Sequence, residues 1–400
     1  MRDALLQQPR IRRKTSVPVG LLYSLTGTYG IMGHEMFNGA MLAIEEINAN
    51  PELDFELRPV VMDPGGIIAQ YSEQCDALIN RHGVRHIIGC YTSASRKQVL
   101  PLIEGSGSLL WHSARYEGFE SSENVIYLGA APNQHVVPIA IYALKNLDPR
   151  IYCLGSNYIW SWEINRVMRD ILDAGGGRIV AERLVALGET DVGHMVDDII
   201  AQAPGAVLNT LVGESAYSFY TAWHRAVAER PELAGIPMLS LSLCEAELKL
   251  TGRHQGGHLV SSVYFQSIDS PKNAAFLSRY HRRYKGFGSP SVDTEAAYVC
   301  GMMLGRAIAD AGATDVASVR HVLYRDRFEA PQGPVSVDPE NNHAFLTPRI
   351  GRSTSGGSFD ILWEAPEPIK PDPYLAWLDL DGLARQGGTK ASKDPFKLLL

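Results

Sequence analysis

Strand and helix patterns alternate along this chain with almost no interruption, and that alternation limits the fold more than any other feature. "SVPVGLLY" reads as a buried strand, and the stretch from His34 to Asn48 carries Phe37, Met41, Ile44 and Ile47 at helical spacing. "LRPVVMD" is a strand that stops at the turn signal "DPGG". "VRHIIGC", "SLLWH" and "NVIYLG" continue the rhythm as strands, with helical stretches from Ser95 to Ile103 and from Gln134 to Leu147. A second block repeats it: "RIYCLG", "AGGGRIVAERLV", "AVLNTL", "IPMLSLS" and "HLVSSVYF" alternate with helical patterns through Ala311. Alternation of this kind means parallel sheets covered by helices on both faces, so about ten strands in two blocks predict an α/β chain of two doubly wound lobes. At 400 residues the chain is also too long for one small core. The tail departs from the pattern: "APQGPVSVDPENNHAF" and the Pro- and Gly-rich run from Arg349 to Leu375 read as a hairpin and a strap.

Several function classes are disfavoured at this level. A formal charge of −7, from 37 basic and 44 acidic residues, leaves no basic footprint for nucleic acid. The one dense basic stretch, "RIRRK" from Arg10 to Lys14, reads as a solvated arm. No apolar run is long enough to span a membrane. "SVPVGLLYSL" holds Pro18 and Gly20 and leads into a turn, so it reads as the first strand rather than a leader. Cys75, Cys90, Cys153, Cys244 and Cys300 are odd in number and widely spaced, which fits a reducing compartment better than a disulfide framework. The expectation is therefore a cytoplasmic protein with reduced cysteines.

Ligands of open parallel sheets sit outside the carboxyl ends of the strands. Those ends read "YSLTG", "CYTSASRK", "WHSARYEG", "GSNYIWSW", "VGESAY" and "LSLCEAE". They collect hydroxyls, aromatic rings and a few carboxylates, the chemistry of a small polar ligand held against apolar walls. Candidate ligand contacts on them are Ser24, Tyr91, Thr92, Ser93, His112, Ala114, Arg115, Tyr158, Trp160, Gly213, Glu214 and Glu245.

Catalytic and cofactor patterns do not assemble. Gly27, Gly30 and Gly33 give G-x-x-G-x-x-G, which lacks the close backbone approach of a dinucleotide fingerprint, and there is no phosphate-binding P-loop. "GESAY" breaks the nucleophile-elbow pattern at Ala216, and Ser215 reads as a helix N-cap. His82/His86 and His254/His258 have metal-pair spacing, but Gly83 and Gly256–Gly257 interrupt the helix such a pair needs. Glu45–Glu46 and Asp197–Asp198 read as solvated helix surface. The reading is a non-enzyme with no cofactor and no metal.

Short motifs run in order from about Val17 to Tyr374: "DPGG" at 63–66, "GCY" with "SRK" at 89–97, "YEGFE" at 116–120, "APNQ" at 131–134 and "EAE" at 245–247. They continue with "YF" and "SID" at 264–269, "APQGPV" at 330–335, "NNH" at 341–343, and "PEPI" and "PDPY" at 366–374. In this the chain resembles the type I periplasmic-binding-protein superfamily, and within it the amide-binding regulators of aliphatic amidase operons. Next to these come the urea and short-chain-amide binding components of ABC transporters. The resemblance implies two lobes joined by three crossing segments, one holding 15–131 and 263–330, the other 132–262 and 331–385, with ligand between them. It implies that Ser93 and the backbone N–H groups after it bind the ligand's polar head, with Tyr91 beside them, and that Tyr158 covers the ligand from the other lobe.

The amide pattern is broken where it meets the cleft. A Tyr-Pro-Thr-Pro-Tyr run is replaced by His112, Ser113, Ala114, Arg115 and Tyr116, and a Tyr-Pro-Arg-Glu run by "WSWE", with Trp160 and Trp162. These changes predict a ligand larger than acetamide, bearing a carboxylate or an aromatic ring; alternatively Arg115 pairs with Glu117 or Glu214, or faces water. The function implied is a cytoplasmic sensor of an amide-like molecule that holds an RNA-binding antiterminator partner, with no direct nucleic-acid contact and no membrane contact. The alternative is a periplasmic solute-binding component of an ABC transporter for amides, urea or amino acids. A homo-oligomer is left open.

Overall fold

The computed structural model describes residues 14–251 and 256–382. Arg10 to Arg13 of the basic arm, His254 and the last three residues assigned to the second lobe lie outside the described residues.

The first sheet is built from β1 (Thr15–Leu22), β2 (Phe55–Met62), β3 (His86–Gly89), β4 (Leu109–His112) and β5 (Val125–Tyr127), in the order β2-β1-β3-β4-β5. All its pairings are parallel. β3, β4 and β5 are buried along their whole length, as strands covered on both faces must be. The crossovers are α1 (Gly30–Ala49), α2 (Ile68–Asp76, extended by a π turn to Arg81) and α3 (Ser93–Ser106).

After Ala130 the chain enters the second lobe through α4 (Pro132–Asn146), where Pro132 starts the helix and the Gln134 side chain accepts the Ala131 N–H. There follow β6 (Arg150–Ser156), α5 (Ile159–Ala174), β7 (Arg178–Val185), α6 (Gly193–Gln202), β8 (Ala206–Thr210), α7 (Glu214–Glu229), β9 (Met238–Ser240), α8 (Glu245–Leu248) and β10 (Leu259–Ser262). The chain then returns to the first lobe, where α9 (Pro271–Arg283), α10 (Val292–Ala311) and α11 (Val316–Leu323) pack on the first core. β11 (Phe328–Ala330), β12 (Gly333–Val337) and β13 (Ala344–Phe345) form a small antiparallel sheet. β14 (Arg349–Ser353) and β15 (Phe359–Glu364) close the second sheet, whose order is β15-β14-β10-β9-β8-β6-β7. β14 pairs antiparallel with β10, so the final strap adds strands to the edge of a parallel sheet.

The third crossing differs from the expected position. Val335, Val337, Ala344 and Leu346 are buried in the first core, so the chain leaves that lobe after Leu346 rather than at 330. The hairpin packs where its apolar face finds cover, beside β5: the His343 and Tyr127 rings stack with centroids 4.1 Å apart.

The "SLTG" corner joins two loops of the first lobe. Ser24 Oγ accepts the Gly66 N–H at 2.8 Å and is hydrogen-bonded to Tyr71 Oη at 2.7 Å. Asp63 accepts from the Leu25 N–H, the Gly65 N–H and the Thr26 hydroxyl. Glycine is needed at 33 because a Cβ there would lie 1.8 Å from the Ser24 carbonyl oxygen.

Candidate functional site

The carboxyl ends of both sheets face one another across a cleft. Between them lies a cavity of about 420 Å3, its mouth included. The first lobe lines it with Tyr29, Tyr91, Thr92, Ser93 and Arg115, the second with Tyr158, Trp160, Val212 and Ser242.

Backbone geometry after β3 sets the first-lobe wall. Cys90 adopts φ 64°, a left-handed conformation that non-glycine residues seldom take, and turns the chain sharply into α3. Thr92 caps that helix: its Oγ1 accepts the Ser95 N–H at 3.1 Å and donates to Ser95 Oγ at 3.0 Å. Ser93 is the first helical residue, so its N–H has no partner within the helix. The Ser93 hydroxyl donates to Glu117 Oε2. Tyr29 meets Tyr91 edge-on, with centroids 5.9 Å apart. Burial raises the phenol pKa of both, that of Tyr29 to about 12, so both walls are uncharged.

The second-lobe wall comes from the start of α5. Tyr158 is its cap residue, and its hydroxyl accepts the Ala94 N–H at 3.0 Å across the cleft. Trp160 lies 6% exposed in the same first turn. Trp162, two residues on, points away: it is 47% exposed and its indole N–H donates to Asn157. It is not a cleft wall, because two residues along a helix turn the side chain by about 200°.

Arg115 lines the cavity and bridges the lobes. Its Nη1 donates to Asp293, at the start of α10, at 3.1 Å, and its Nη2 donates to the Ser242 carbonyl at 3.0 Å. The partner is thus Asp293, rather than the Glu117, Glu214 or water considered from the sequence. Burial disfavours the Arg115 charge, but Asp293 together with Tyr91, Cys244 and Glu247 holds the pKa above its ordinary value.

Beneath Ser93 lies a buried ionic network. Arg96, fully buried, donates to Glu120 at 2.7 Å, approaches Glu117 at 3.5 Å and stacks over the Tyr116 ring. Burial works against the Glu120 carboxylate, but Arg96 and Lys97 bring its pKa down to about 2.

The remaining sequence candidates do not line the cavity. The Ser24 hydroxyl is occupied within the "SLTG" corner. His112 Nε2 accepts from Arg96 and its Nδ1–H donates to the Gly89 carbonyl; burial pushes its pKa down to about 3. Ala114 is buried against Gly129. Gly213, at φ 59°, is the cap of α7, the role expected of Ser215. Glu214 is exposed. Glu245 is buried and accepts the Gln266 N–H at 2.8 Å. Tyr29, Val212 and Ser242 line the cavity but were not singled out, although Val212 and Ser242 fall in the quoted strand ends and Tyr29 lies two residues beyond one. Among the described residues no group of three His, Cys, Asp or Glu is placed to hold a metal ion. No helix among them is long and apolar enough to cross a membrane.

The sequence pattern of the periplasmic binding protein domain matches residues 17–379. A Leu/Ile/Val-binding protein homolog of Brucella abortus is 24% identical over 339 residues, covering 82% of this chain and 85% of that one. A protein of Geobacillus stearothermophilus named limonene hydroxylase is 31% identical over 123 residues, 31% of this chain; the match spans 22% of that protein. A solute-binding protein from R. palustris, solved in complex with 4-hydroxybenzoate, superposes with a TM-score of 0.78 at 20% identity, covering 88% of this chain and 98% of that one. A branched-chain amino acid binding protein of Streptococcus pneumoniae, solved with isoleucine, gives 0.73 at 18% identity, covering 89% and 100%.

Proposed function

This chain belongs to the periplasmic binding protein domain family, and we propose that its cleft binds a small molecule with a flat, apolar body and one polar end. The carrying observation is the cavity wall: Tyr29 and Tyr91 from one lobe face Tyr158 and Trp160 from the other, around a compact volume. Aromatic walls favour a planar or branched apolar body. The polar end meets Ser93 and the first N–H of α3. Acetamide alone would leave most of the ring surface without a partner. The work of the site is binding: closure brings ring surfaces from two lobes onto one ligand, and a ligand stabilises the closed form by its differential affinity for it.

The solute-binding role is the reading we favour, because the Brucella relative and both structural neighbours are named as binding proteins, the two structures as parts of transporters. One observation favours the sensor with an antiterminator partner: all five cysteines are unpaired and buried, as suits a reducing compartment. Thermal unfolding in the presence of aromatic acids, aromatic amides, branched amino acids, urea and acetamide tests the reading, since a bound ligand raises the midpoint by mass action. An aromatic compound should give the largest shift, and Trp160→Ala should abolish it. A shift from acetamide or urea alone would refute the proposal.

A further inference from the structure

Ser93 reaches the cavity with its proton already committed. Its hydroxyl donates to Glu117, a buried carboxylate that lies behind the cavity wall. Glu117 Oε1 has Arg96 Nη2 at 3.5 Å and Lys97 Nζ at 3.9 Å, and an ionised carboxylate can only accept. Ser93 Oγ therefore offers only lone pairs, one toward the Tyr158 hydroxyl, which also reaches it, and one toward the cavity. Thr92, the neighbouring hydroxyl, has its proton on Ser95. The start of a helix ordinarily favours an anion, but here the anion is the chain's own Glu117, held against the first residue of α3. A ligand carboxylate at this point would find an acceptor opposite it and a second negative charge just behind, in a site that closure dries. Arg115 does not restore an anion site, because Asp293 holds its guanidinium.

We infer that Glu117 is a specificity-determining positioning residue. Through Ser93 it makes the polar end of the cleft select a ligand group that donates a hydrogen bond and carries no negative charge, such as a primary amide or a hydroxyl, either of which can also accept the first N–H of α3. This rests on the reading that the cleft binds a small molecule.

Calorimetric titration of the full chain with matched pairs, benzamide against benzoate and phenylacetamide against phenylacetate, tests it. The native chain should bind each amide about tenfold or more tighter than its acid, the size of a charge-assisted hydrogen bond. Glu117→Gln should lower the amide-to-acid ratio by about tenfold or invert it, because a glutamine amide donates to Ser93 and turns the serine proton toward the cavity. Ser93→Ala should bring the ratio near one, and it decides the matter should Glu117→Gln fail to fold. A general structural role for Glu117 would weaken amide and acid alike and leave the ratio in place, which overturns the inference. An acid preference in the native chain overturns it too, while leaving the binding reading standing. Binding of neither member of either pair, with no thermal shift from any compound, overturns the binding reading and the inference together.

Discussion

Replacing Tyr158 by Phe removes one oxygen and keeps the ring. That oxygen accepts the Ala94 N–H at 3.0 Å, a bond made between the second lobe and the start of α3. It can exist only when the lobes are together, so its loss falls on the closed form. A neutral hydrogen bond contributes about 1 kcal/mol net, and Ala94 is only partly buried, so water can satisfy its N–H once the cleft opens. Closure should be weakened by about that amount, which is roughly a fivefold rise in Kd for a ligand that requires the closed form. Calorimetry gives the affinity, and small-angle scattering should show the radius of the liganded variant approaching the native value only at higher ligand concentration. Tyr158→Ala should weaken binding further, because it also removes a ring wall. An unchanged Kd for Tyr158→Phe would mean that the Ala94 contact plays no part in closure. A loss greater than about thirtyfold would place the hydroxyl on the ligand instead.

Arg115→Met should destabilise the fold by about 3–5 kcal/mol in urea unfolding, because Asp293 is left charged and buried; adding Asp293→Asn should recover much of the loss. Burial raises the Glu295 pKa to about 8, although it accepts from the Gln332 backbone and side chain. A carboxyl raised in the folded state binds more protons there than unfolded, so its contribution is complete below the unfolded value near pH 4.5 and is lost as pH rises toward 8. Thermal midpoints of Glu295→Gln should therefore gain on the native chain between pH 5 and 8, and parallel pH profiles would refute the assignment. A thiol reagent should find the buried cysteines protected in the native chain and all five reactive after unfolding.

The first sheet and the parallel part of the second were legible because their strands are apolar runs at regular spacing, and the cleft followed from where those runs end. Within the cleft, local pattern reached only so far. Trp160 and Trp162 share a quoted motif, yet Trp160 falls in phase with the buried Ile164, Val167, Met168 and Ile171 and Trp162 does not; the helical period could have separated them. The partner of Arg115 was beyond reach, since Asp293 is 178 positions away and is brought near by the chain's return to the first lobe. Ser24 and His112 stand at strand ends as ligand groups do, but their polar atoms are taken up by Tyr71, Gly66, Arg96 and Gly89, contacts made only in the fold. The hairpin at 328–345 alternates in a way that marks a buried face without saying which core buries it.

The central claim is that rings from both lobes close on one small molecule at the start of α3. A crystal structure of the chain with the compound that gives the largest thermal shift tests it directly. The account predicts the ligand's flat body among Tyr29, Tyr91, Tyr158 and Trp160, with its polar end on Ser93. Density for the compound in the hollow of about 750 Å3 beneath α7, walled by Trp223, His224 and Met238 of the second lobe alone, would contradict it.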